Sequence, residues 1–120
     1  MERKYEAVFC IVNAGFSEIV MEAARKAGAG GGTILKGRGT AGRDAEELFN
    51  IRIQPEKELI MMLVPIEIKD NVLRALYNTA GLDSAGQGIA FSLPVERTIG
   101  LSERKAKAED NDQAEQAPQT

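Results

Sequence analysis

Apolar positions gather into short runs separated by polar, glycine-bearing stretches. Residues 5–12 (YEAVFCIV) are mostly apolar and rich in β-formers, which predicts a buried strand. Ile19, Ala23 and Ala27, with Val20 and Ala24 alongside, then recur at helical spacing. Ser17 stands where an N-cap belongs. Glu18 falls in the first turn, Arg25 and Lys26 in the last, and Gly28 just past the end, so start and stop signals bound this helix consistently. After the glycine break at 28–32, Thr33-Ile34-Leu35 predicts the core of a short second strand. From 37 to 55 the chain is polar, with Gly37, Gly39 and Gly42 early and Leu48, Phe49, Ile51 and Ile53 late; this reads as a long loop. Residues 58–64 are almost continuously apolar, as a central strand requires. Ile68, Val72, Leu76 and Ala80 are spaced by four and predict a second amphipathic helix over about 67–79. A glycine loop follows, then a fourth strand at 89–93. Pro94 marks an edge or a kink, and 96–101 offers a short fifth strand.

The order βαββαβ predicts an α+β, ferredoxin-like sandwich: one sheet with two helices on one face and a long loop after the second strand. Strand 59–64 is apolar on both faces, so its second face calls for burial against other subunits. A homo-oligomer is expected on that ground. The domain is expected to span 1–102. In 103–120 Ala is the only apolar residue type, and such a tail buries too little surface to offset its ordering entropy, so it reads as disordered.

Composition narrows the function. A chain of 120 residues, 43% apolar and 28% charged, fits one soluble domain. The net charge of -3 speaks against a general nucleic-acid binder. No apolar run approaches the roughly 20 residues that span a bilayer. With no secretion signal and a single cysteine, Cys10, the expected location is cytoplasmic. The chain has no histidine, hence neither the commonest general base nor the commonest transition-metal ligand. No catalytic residues and no metal site are proposed, and the expectation is a protein that is not an enzyme. Cys10 reads as a small buried hydrophobe, and Met61-Met62 as core.

Three stretches carry a resemblance to a known family: LKGRG at 35–39, LVP at 63–65, and TAGLDSAGQGIAFSLPVERTIGL at 79–101. Over about residues 4–101 the chain resembles the PII signal-transduction proteins, the nitrogen regulatory proteins P-II. The resemblance implies a homotrimer of ferredoxin-like subunits. It also implies an adenine nucleotide effector (ATP, ADP or AMP) in clefts between neighbours, and a mobile loop that engages a membrane transporter or a metabolic enzyme. It leaves magnesium open.

Carried over residue by residue, Gly37 and Gly39 match the base of the long loop. Lys57 matches a lysine near the nucleotide phosphates. Gly86, Gln87 and Gly88 match the glycine turn, with Gln87 in place of an aspartate. Arg97 matches the first of two phosphate-facing arginines. Ile89 and Gly100 stand where the family has a further lysine and the second arginine, and residues 37–55 hold no tyrosine or serine to modify. The resemblance therefore implies a divergent member with weaker triphosphate binding or a preference for a less charged ligand. Arg38, Arg43, Glu46 and Phe49 are the expected partner contacts of loop 39–54. The rival reading is a constitutive trimeric scaffold of the same fold whose ligand site has degenerated.

Overall fold

The computed structural model describes residues 4–50 and 52–101. The expected tail at 103–120 lies outside the described residues. The elements are β1 (Tyr5–Asn13), α1 (Ser17–Lys26), β2 (Thr33–Arg38), α2 (Arg43–Phe49), β3 (Glu56–Pro65), a 3-10 turn (Ile66–Ile68), α3 (Lys69–Ala80) and β4 (Ile89–Val95). The strands form one antiparallel sheet in the order β2-β3-β1-β4. This is the expected α+β, ferredoxin-like arrangement, with β1 and β3 at the centre.

Alternation along the two central strands builds the core. Val8, Cys10 and Val12 of β1 and Ile60, Met62 and Val64 of β3 turn to one face. There they meet Val20, Met21 and Ala24 of α1 and Val72, Leu76 and Ala80 of α3, all buried. Each fully buried Val, Ile, Leu or Met contributes about 1.5–3 kcal/mol by removal from water, which is what holds the helices on the sheet.

The alternate residues face the other way. Ala7, Phe9, Ile11, Leu59, Met61 and Leu63 line up with Leu35 of β2 and with Ile89, Phe91 and Leu93 of β4. Phe9 and Phe91 stack with ring centres 5.3 Å apart. No described helix covers this face, and Leu35, Ile89, Phe91 and Leu93 remain exposed. Strand β3 is thus apolar on both faces, as its sequence indicated, and among the described residues nothing helical covers one of them. Met62 is core, whereas Met61 lies half-buried on the open face.

Several expectations are corrected. Ser17 is the first helical residue rather than the cap, and its side chain makes no capping bond; Phe16 occupies the cap position. On α1 the buried stripe is Val20, Met21 and Ala24. Ile19 stands at the helix margin, 46% exposed, because the helix turns that side toward the edge of the sheet. The segment after β2 is not all loop. Gly42 leads into α2, and Asn50 ends it in the left-handed conformation (φ 57, ψ 45). Helix α2 buries none of its residues, so it left no apolar periodicity to read. Residues 96–101 form no strand. Val95 is already opposite Tyr5, where β1 begins, and among the described residues the chain beyond it has no ladder to join. Among the described residues no helix is long and apolar enough to cross a membrane.

Candidate functional site

The antiparallel register carries the ends of four elements to one end of the sheet. Asn13 closes β1 directly opposite Lys57 at the start of β3, and Lys57 is in turn opposite Gly37 of β2. Gly39 follows β2 and donates its N–H to the Pro55 carbonyl at 2.6 Å. A Cβ on Gly39 would sit 3.1 Å from Cε of Lys57, so the bare glycine lets the lysine stem pass. The loop between α3 and β4 closes over the same end. Gly37, Gly39, Lys57, Gly86, Gln87 and Gly88 therefore come together within one chain.

Asn13 joins them. It is 2% exposed, and each polar group of its side chain is used. The Lys57 ammonium donates to Asn13 Oδ1 at 2.7 Å, and Asn13 Nδ2 donates to the Ala85 carbonyl at 3.0 Å. Its backbone N–H donates to the Gly86 carbonyl at 2.9 Å. The lysine's hydrogen-bond partner is thus a neutral amide, and among the described residues it joins no ion pair. The charge is held in place without being cancelled. Sequence reading overlooked Asn13; its signal was a lone amide ending a mostly apolar strand.

Glu58 was overlooked as well. Its Oε1 accepts the N–H groups of Gly15 and Ser17, each at 3.2 Å, and so supplies the cap that the Ser17 side chain does not. A carboxylate there also meets the positive end of the helix dipole.

The glycine loop is a built turn. Gln87 N–H donates to the Ser84 carbonyl, and Gly88 N–H to the Ala80 carbonyl. These two N–H groups, the natural elements of an anion nest, are already spent inside the loop. Among the described residues the N–H groups of Ala85 and Gly86 find no acceptor. The left-handed residue is Gln87 (φ 49), flanked by two glycines that are not left-handed. Gly88 is glycine for another reason: a Cβ would overlap the Ala80 carbonyl oxygen and lie 2.9 Å from Val12 Cγ1. The Gln87 side chain reaches the Arg52 carbonyl at 2.8 Å and ties the loop to the segment before β3.

Arg97 stands apart. It follows β4 at the end of the sheet opposite Lys57: Val95, two residues before it, pairs with Tyr5, eight residues along β1 from Asn13, or about 26 Å along the strand. The residues expected to touch a partner lie on and around α2. Arg38 is the exposed last residue of β2, Arg43 opens the helix exposed, and Phe49 closes it 51% exposed. Glu46 instead turns back, its Oε2 accepting the Ile53 N–H at 2.9 Å. Cys10 lies in the core, 1% exposed, and burial pushes its thiol pKa up to about 11.

No protein-family model matches the chain, and no curated protein is significantly similar to it. Solved structures are. Arabidopsis thaliana PII bound to citrate superposes with a TM-score of 0.61 at 23% identity, covering 84% of this chain and 83% of that one. A PII-like signalling protein from Thermus thermophilus gives 0.58 at 19% identity over 79% of this chain and 90% of the other. A Bacillus cereus protein related to NIF3 gives 0.62 at 17% identity over 79% of this chain, which spans 26% of that longer protein. At these identities the likeness is one of fold. The chain has the fold of PII and PII-like signalling proteins.

Proposed function

We propose that this chain is a PII-like regulatory protein, not an enzyme. It binds an adenine nucleotide at the end-of-sheet site, in clefts between the subunits of a homotrimer. Through segment 39–54 it controls a membrane transporter or a metabolic enzyme. The observation that carries this reading is the division of the expected phosphate contacts between the two ends of the sheet. Lys57 and the 86–88 turn lie at one end and Arg97 at the other. One chain cannot close them on one ligand, whereas Arg97 of a neighbouring copy can complete a shared cleft. The open apolar face supports the same assembly, since exposed patches of that kind mark interfaces. Ligand occupancy then biases segment 39–54 between two arrangements, which requires the ligand to bind them unequally.

The site has one held lysine charge, and Ile89, 56% exposed, stands beside Gly88 where a cation would strengthen phosphate binding. ADP or AMP is therefore favoured over ATP. That an Arabidopsis relative in fold holds citrate supports an anionic ligand. The second reading, a trimeric scaffold, is favoured by the internal use of the Gln87 and Gly88 N–H groups. Thermal shift with ATP, ADP and AMP separates the two. Stabilisation by ADP or AMP supports the sensor, and no stabilisation by any of the three supports the scaffold.

A further inference from the structure

We infer that Asn13 is a positioning residue that sets the Lys57 ammonium against the 85–86 turn. For its binding role this rests on the reading that the site takes an anion. A lysine ammonium offers only donors and a backbone carbonyl only an acceptor, so an amide between them has one possible orientation: oxygen to Lys57, nitrogen to Ala85. No other side chain of this size serves both. Aspartate would hold the lysine, but it would set a carboxylate oxygen against the Ala85 carbonyl and neutralise the charge. An aliphatic residue would strand both partners.

On the β2 side Lys57 meets glycines rather than side chains. Its cross-strand neighbour there is Gly37, around which nothing lies within 4 Å of a notional Cβ. The flexible four-carbon stem is restrained by Asn13 at its tip and passes Gly39 along its length. Because Asn13 also bonds Ala85 and Gly86, the spacing between the ammonium and the turn is fixed before any ligand arrives. Preset geometry of this kind lowers the ordering cost of binding.

Two measurements on the full-length protein test this. The first uses no ligand: side-chain NMR order parameters at Cε of the lysines. Lys57 is expected to be restrained relative to the exposed strand residue Lys36, and the restraint is expected to vanish in Asn13→Ala. Equal mobility of Lys57 and Lys36 in the wild type overturns the inference. So does a restraint that survives Asn13→Ala. The second is calorimetry with ADP. Asn13→Asp, checked for a retained melting transition, is expected to weaken ADP about ten-fold. Lys57→Met is expected to do the same, and Asn13→Ala is expected to cost no further affinity on top of Lys57→Met. Undiminished affinity in Asn13→Asp, or fully additive losses, also overturns it. Wild-type protein with a restrained Lys57 but no affinity for ADP, AMP or ATP would instead refute the nucleotide reading and leave the positioning role standing.

Discussion

Glu58 on β3 caps α1 through Ser17: one carboxylate oxygen accepts the Ser17 N–H at 3.2 Å and the Gly15 N–H at the same distance. A strand side chain thereby does what a local serine or aspartate does in most helices. Glu58→Ala should lower stability by about 1 kcal/mol, the usual worth of a cap. Glu58→Gln keeps an acceptor and loses the charge on the helix dipole, for a loss of about 0.5 kcal/mol. Urea unfolding measures both. Ser17→Ala, whose side chain caps nothing, should cost less than Glu58→Ala.

Two glycines at the site should respond oppositely. Gly88→Ala drives a methyl into the Ala80 carbonyl and against Val12 Cγ1, and should destabilise by about 2 kcal/mol or more, as overpacking does. Gly37→Ala meets open space and should be neutral or stabilising by a few tenths of a kcal/mol, since alanine loses less entropy in a strand. Thermal unfolding of the pair checks the contrast.

Burial raises the Cys10 thiol from 9.0 to about 11, so between those values the unfolded chain releases its proton while the folded chain keeps it. The stability this confers is fully present below pH 9 and is lost as pH rises toward 11, at about 1.4 kcal/mol per pH unit. Denaturant titrations at pH 8, 9.5 and 10.5 should show wild type losing ground to Cys10→Ala across that window. Parallel behaviour of the two proteins would remove the thiol as the cause.

In the proposed trimer the open sheet face holds the subunits together. Phe91, 41% exposed and stacked on Phe9, lies on that face. Phe91→Lys should convert the assembly to monomers in light scattering, while the secondary structure seen by circular dichroism persists. A wild-type protein that is monomeric at all concentrations would contradict the shared-cleft reading.

The central strands were legible as apolar runs, because residues on both of their faces are apolar, and α3 was legible because Val72, Leu76 and Ala80 repeat by four. Helix α2 was not legible, because it buries nothing and so needs no stripe. The site was half legible. The glycines stand in the short motifs at 35–39 and 79–101, and the resemblance pointed to Lys57, whereas Asn13 and Glu58 act across strand register, which no local window contains. The glycine turn also misled in one respect: its left-handed residue is Gln87, and Gly88 is required by a close approach to Ala80.

In the proposed sensor, Lys57 is the charge that an anionic nucleotide meets. Calorimetry of ADP against wild type and Lys57→Met tests it directly. Wild type should bind ADP measurably and Lys57→Met about ten-fold more weakly, with AMP less affected than ADP because it carries less charge. Equal ADP affinity in the two proteins would contradict it.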